Sequence, residues 1–185
     1  RSGGSSDAAT TLMALNQLWG TGLELSALMV LGSELGADVP VFVGGKAAWG
    51  EGVGEKLTPL ELPEPWYLVV IPACRVATRE IFQAPELTRN SAPITIARFR
   101  AGEYRNDLEP VVRKRHPEVA QALDWLGEHA RARLTGSGAC VYAAFEEESA
   151  ARRLKQALPR GWQGFVAQGC NRSPLLARLE SERSR

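Results

Sequence analysis

Three short stretches of the 185-residue chain combine residue types that could handle a phosphate and a hydroxyl. The first is Ser2-Gly3-Gly4-Ser5-Ser6-Asp7, a glycine-rich turn that runs into a helical pattern. Unpaired backbone N–H groups and the positive end of a helix dipole converge at such a point and stabilise an anion. Gly3 and Gly4 let a phosphate approach the main chain, and the hydroxyls of Ser5 and Ser6 can donate to phosphate oxygens or help hold a magnesium ion. A plain helix cap, in which Ser and Asp satisfy their own amides, accounts for the same residues. The stretch is not a Walker A loop. The one Gly-Lys pair, Gly45-Lys46, is followed by Ala47, and Pro40 stands where that loop needs glycine.

The second stretch centres on Asp38, an acidic residue just past the helix terminator Gly36 and two residues before Pro40. A carboxylate held by so stiff a backbone suits general-base work on a hydroxyl, and it equally suits a turn whose carboxylate caps nearby amides. The third is Thr135-Gly136-Ser137-Gly138, with two glycines, two hydroxyls and no bulky side chain, which fits a loop beside a ligand or a tight structural turn. His116 and His129 have no ligand spacing to each other or to a cysteine, so they read as surface histidines and no metal site is expected. Cys74, Cys140 and Cys170 are odd in number and lack a C-x-x-C spacing, which predicts reduced thiols rather than a disulfide framework.

The periodicity around these stretches predicts what positions them. A helix is expected from about Ser6 to Trp19, with Ala8, Ala9, Leu12, Met13, Leu15, Leu18 and Trp19 forming one apolar face and Ser5, Ser6 or Asp7 as its cap. A second follows from Ser26 to Leu35, with Leu28, Met29, Leu31 and Leu35 inward and Gly36 as a left-handed terminator. Strands are expected at Val41–Val43, Ala47–Glu51 and Lys56–Leu62, then a domain boundary near Pro63 to Pro65, then a buried strand at Trp66–Ile71. Beyond it the pattern predicts a short helix at Thr78–Gln83 and two helices within Asp107–Ala130, divided by Pro117. Next come strand-like Ala132–Leu134, a strand at Ala139–Phe145, a helix at Ser149–Leu158 and a strand at Gly164–Gln168, an order that suits an α+β sandwich of ferredoxin-like type. The charged Glu180–Arg185 tail is expected to fray.

Composition narrows the function classes. Hydrophobic residues at 44% and charged residues at 23% describe an ordinary globular chain with room for one large or two small domains. With 22 basic and 21 acidic side chains the formal charge is +1, so no global field draws the chain to nucleic acid or an anionic membrane. No apolar run reaches membrane-spanning length, and a cytoplasmic location is expected.

Taken in order, the loop Gly3-Gly4-Ser5-Ser6-Asp7-Ala8-Ala9, the segment Leu35-Gly36-Ala37-Asp38-Val39-Pro40-Val41-Phe42 and the run Arg133-Leu134-Thr135-Gly136-Ser137-Gly138-Ala139-Cys140-Val141 resemble the GHMP kinase family. Ala47 to Leu57, Pro85-Glu86-Leu87-Thr88-Arg89-Asn90 and Asn106-Asp107-Leu108-Glu109 resemble, within it, the branch acting on 4-diphosphocytidyl-2-C-methyl-D-erythritol in non-mevalonate isoprenoid synthesis. The likeness runs from Gly3 to about Leu176.

The resemblance implies a two-domain α+β fold. An incomplete ribosomal-protein-like N-terminal domain would span residues 1–63, a ferredoxin-like C-terminal domain 64–176 and a polar tail 177–185. It implies ATP as co-substrate with Mg2+, and transfer of the γ-phosphate to the 2-hydroxyl of the methylerythritol moiety. Asp38 then matches the catalytic aspartate, Gly3, Gly4, Ser5 and Ser6 the phosphate loop, and Thr135, Gly136, Ser137 and Gly138 the loop that closes the site. Thr78 and Phe82 fall where the cytidine-bearing substrate is contacted, Phe82 offering a ring face to cytosine. Arg1-Ser2 depart from the family's leucine and further loop glycine, and the absence of an initiator Met points to a longer natural protein whose upstream segment carries a lysine that works with the aspartate. Two alternatives stay open: a homoserine- or mevalonate-type kinase of the same fold, and a non-catalytic binding or assembly module.

Overall fold

A computed structural model describes residues 3–52 and 56–183, so the expectation about Arg1 and Ser2 lies outside the described residues. The chain divides into two compact units, residues 1–64 with 170–185 and residues 65–169.

The first unit contains α1 (Gly3–Leu18), α2 (Leu25–Leu35), α3 (Val39–Gly44), the antiparallel hairpin of β1 (Ala48–Glu51) and β2 (Lys56–Pro59), and α9 (Pro174–Arg183). The helices α1, α2 and α3 share one buried cluster of Ala9, Met13, Leu28, Val39 and Val43, with Leu175, Leu176 and Leu179 of α9 packed against it. Residues 170–176, expected in the C-terminal domain, are therefore part of this unit. Asn171 ties them in, its side-chain amide donating to the Leu62 carbonyl at 2.7 Å, its Oδ1 accepting from Leu62 N at 2.9 Å and its own carbonyl accepting from Ala47 N at 2.8 Å. The tail expected to fray is helical as far as Arg183.

Three expectations for this unit are corrected. Residues 41–43 form helix rather than strand, because Pro40 within the first turn of α3 pre-sets a helical φ and Gly45, at φ +58°, stops it after a turn and a half. Gly36 does end α2, but at φ 167° and ψ 150°, extended backbone rather than left-handed. Leu18, Trp19, Leu31 and Leu35 are exposed instead of inward, since the apolar residues around α1 and α2 extend past the face that the shared cluster covers.

The second unit is built on the antiparallel sheet β4-β5-β3-β6, from β3 (Trp66–Ile71), β4 (Arg133–Leu134), β5 (Val141–Phe145) and β6 (Gln163–Gln168). Numbered one to four in chain order these strands read 4-1-3-2 across the sheet, the ferredoxin-like arrangement. Between β3 and β4 lie α4 (Thr78–Phe82), α5 (Ile96–Arg100), α6 (Glu109–Arg115) and α7 (Pro117–Gly127), and α8 (Glu148–Gln156) follows β5. The register sets Leu68 beside Ala143 and Val70 beside Val141, so one sheet face buries these four against Val111, Val112, Val119, Leu123, Leu126 and Ala151 of the helices. Pro117 divides α6 from α7 as its missing N–H requires. The helix α5 has no counterpart in the periodicity; Thr95 caps it, accepting from Arg98 N at 3.3 Å. No helix among the described residues is long and apolar enough to cross a membrane.

The Pro85–Asn90 motif has a structural role here. Arg115 clasps Glu86 through both carboxylate oxygens, at 2.9 and 2.8 Å, and these hydrogen bonds hold the Glu86 carboxyl down at about 2 against an ordinary 4.5. A carboxyl depressed on folding contributes stability above its unfolded value and loses it as pH falls toward the folded one. Glu86→Gln should therefore melt below the parent near neutrality, and the gap should close on acidification from about pH 5 to about pH 2. Thermal denaturation across that range followed by circular dichroism measures it, and a gap that persists undiminished at the acid end refutes the linkage.

Candidate active site

In the first unit the structure places Gly3, Gly4, Ser5 and Ser6 in the first turn of α1 itself, so the helix begins earlier than the expected Ser6 and Ser5, Ser6 and Asp7 are not its caps. The amides of these residues are those that a helix leaves without intrahelical partners. No carboxylate stands in this first turn, so the helix dipole there is positive, and among the described residues no atom outside the helix backbone and the chain neighbours would lie within 4 Å of a Cβ added at Gly3 or Gly4. The Ser5 and Ser6 side chains are half-buried, and Thr10 and Thr11 hold the next turn by donating to the Ser6 and Asp7 carbonyls at 2.9 Å each.

Asp38 is exposed at the N-cap of α3, in the short link where Val39 N donates back to the Gly36 carbonyl at 3.0 Å. Its side chain makes no capping hydrogen bond to α3. The adjoining Val39 is fully buried in the same cluster as Ala9 of α1, so the backbone that carries Asp38 is anchored to the helix that carries the glycine-rich turn.

In the second unit Thr78 and Ser137, 59 residues apart in sequence, share a hydrogen bond of 2.8 Å between their hydroxyls. Thr78 and the glycine loop, which the sequence offered as separate candidates, are thus joined. Thr78 opens α4 and Phe82 closes it, four residues on and so on the same face; Ile81 is the buried member of the helix, whereas Phe82 is 55% exposed. Phe82 is therefore not a core phenylalanine. Arg89 fixes this helix end, donating to the carbonyls of Phe82 at 2.6 Å, Leu87 at 3.1 Å and Ala84 at 3.2 Å.

The loop itself is tightly determined. Thr135 N donates to the Cys140 carbonyl at 3.0 Å and Gly138 N to the Thr135 carbonyl at 2.8 Å. Gly138 sits at φ +86°, a conformation that calls for glycine, and a Cβ there would lie 3.2 Å from Leu134 Cδ1 and 3.6 Å from Val112 and Val76 methyls, so the Leu134 side chain would have to yield slightly. Below the loop, Asn106 donates to the carbonyls of Gly136 at 2.7 Å and Leu134 at 3.3 Å. Sequence reading found the Asn106–Glu109 motif but assigned no task to it.

Burial, followed by the negative surroundings of Glu118 and Cys140, pushes the Cys74 thiol up, and all three cysteines are free. His129 is exposed with its ring edge-on to Trp125, and His116 is half-buried in the link between α6 and α7. Among the described residues no group of three or more His, Cys, Asp or Glu could hold a metal ion.

Comparison with known proteins bears on both units. Residues 2–46 match the family model of the GHMP kinases N terminal domain, and residues 86–164 match that of GHMP kinases C terminal. A Nitrosococcus oceani protein named 4-diphosphocytidyl-2-C-methyl-D-erythritol kinase is 61% identical over 178 residues, which cover 96% of this chain and 64% of the relative. Its namesake from Alkalilimnicola ehrlichii is 60% identical over 180 residues, covering 97% of this chain and 62% of the relative. The chain thus spans less than two thirds of the length of these relatives. Among solved structures, a crystal structure of 4-(cytidine 5'-diphospho)-2C-methyl-D-erythritol kinase superposes with a TM-score of 0.74 at 33% identity, over 91% of this chain and 66% of that one. A homoserine kinase from Cytophaga hutchinsonii shares the fold, with a TM-score of 0.52 at 16% identity over 86% of this chain and 62% of that one.

Proposed function

Because this chain belongs to the GHMP kinase family, we propose that the protein transfers the γ-phosphate of ATP to the 2-hydroxyl of 4-diphosphocytidyl-2-C-methyl-D-erythritol, in the cytoplasm, as a step of isoprenoid precursor synthesis. The observation that carries this reading is the high identity to relatives named for that kinase, which extends over nearly the whole chain.

Phosphoryl transfer asks chiefly for positioning and for stabilisation of spreading charge. In this reading the amides of Gly3, Gly4, Ser5 and Ser6 receive phosphate oxygens, aided by the α1 dipole. Asp38 orients the acceptor hydroxyl and takes its proton as the oxygen bonds to the γ-phosphorus and the bond to the β-phosphate oxygen breaks, releasing ADP. In the second unit Thr135, Gly136, Ser137 and Gly138 take the part of the family's site-closing loop. Thr78 contacts the cytidylated substrate, and the exposed Phe82 ring stacks on its cytosine. A Mg2+ ion would arrive on the nucleotide phosphates, and the Ser5 and Ser6 hydroxyls would help hold it. Such an ion, when bound, neutralises charge on the phosphates.

The test is coupled ATP turnover by the full-length protein. Turnover is expected with the cytidylated alcohol, with competitive inhibition by CDP. Turnover with homoserine or mevalonate that CDP leaves untouched assigns the protein to another branch of the family, and absence of turnover with all three substrates supports a non-catalytic module.

A further inference from the structure

We infer that Asn106 is a positioning residue for the loop Thr135–Gly138 and, through that loop, for the hydroxyl of Thr78. The inference rests on the kinase reading above, because the loop and Thr78 owe their roles to it.

Every polar atom of the half-buried Asn106 side chain is committed. Its Nδ2 donates to two carbonyls that bracket Thr135, those of Leu134 at 3.3 Å and Gly136 at 2.7 Å, while its Oδ1 accepts from Leu108 N at 3.0 Å. An amide is the short side chain that offers two donors and an acceptor together. Glu109 adds a second hold from the same motif, its Oε2 accepting from Leu134 N at 3.4 Å. The loop so gripped has Gly136 and Gly138 both at positive φ, at +49° and +86°, and projects Ser137 onto Thr78 at 2.8 Å. A continuous path of hydrogen bonds and short backbone therefore runs from Asn106 to the loop, to Ser137, to the first residue of the helix that presents Phe82.

A purely structural role is the competing account, since Asn106 Oδ1 also caps the backbone just before α6. Asn106→Asp separates the two. Aspartate caps amides as well as asparagine does but has no N–H to give, and its carboxylate would face the two loop carbonyls. In Asn106→Asp, amide hydrogen exchange over residues 134–140 should accelerate by roughly tenfold or more while α6 and α7 keep their protection. In the full-length kinase, KM for the cytidylated substrate should rise by about tenfold or more with a much smaller change in kcat. Asn106→Ala, which loses the cap as well, should show both effects together with a lower Tm.

If Asn106→Asp matches the parent in loop exchange and in KM, the clamp is refuted and Asn106 only caps. If the parent does not turn over the cytidylated substrate, the kinase reading fails, and the exchange arm still decides whether Asn106 holds the loop. Faster loop exchange without a change in KM refutes the link to Thr78.

Discussion

Replacing Asp38 by asparagine in the full-length protein is expected to lower kcat by about two orders of magnitude or more while leaving fold and melting temperature unchanged. The substitution keeps size and shape and removes the charge that would take or orient the hydroxyl proton. Stability should hold for reasons visible in the structure. Asp38 is exposed, occupies an N-cap position that asparagine fills equally well, and makes no side-chain cap to α3 whose loss would weaken the helix. The link is held instead by buried Val39 and by the Val39 N to Gly36 carbonyl bond, neither of which the mutation touches. Single-turnover measurement at saturating ATP isolates the chemical step, and circular dichroism checks the fold. Near-normal turnover would remove Asp38 from the mechanism.

Phe82→Ala is expected to weaken binding of the cytidylated substrate, and of CDP, by about 5- to 150-fold, the equivalent of roughly 1–3 kcal/mol for loss of a base stacked on an aromatic ring. The melting temperature should barely move. The ring is 55% exposed, and the apolar anchor of α4 is its neighbour Ile81, which is wholly buried. The Phe82 main chain would stay where Arg89 grips its carbonyl, because that bond does not involve the side chain. Calorimetric titration with CDP and a thermal melt on the same sample decide the matter. An unchanged dissociation constant would overturn the stacking role, and a collapse in stability would mean that the ring packs where the structure leaves it open.

The elements bounded by proline or glycine were legible in the chain. The strand Trp66–Ile71 emerges with the limits that its apolar run and the preceding Pro63 and Pro65 imply, and Pro117 divides α6 from α7 as a residue without an N–H must. Val41-Phe42-Val43 was misread because β-branched and aromatic residues favour strands only by fitting a pleated, half-buried surface. In the structure Val43 instead buries its side chain in the cluster shared by the helices, and Pro40 supplies the helical start. The inward set on α2 failed for a related reason: periodicity locates an apolar stripe but not how wide a neighbour will cover it.

Of the candidate site, residue types and local order supplied the glycine-rich turn ahead of a helix, the carboxylate between Gly36 and Pro40 and the small-residue loop, since each depends on interactions within a few residues. What the tertiary structure alone decided was the pairing of Thr78 with Ser137, the grip of Asn106 on the Leu134 and Gly136 carbonyls, and the exposure of Phe82 beside a buried Ile81. A hydrogen bond between side chains 59 residues apart leaves no mark on either local sequence. Its partners meet only because β3 and β5 pair antiparallel, with Val70 against Val141, and so bring the segment leading to α4 and the loop before β5 to the same end of one sheet.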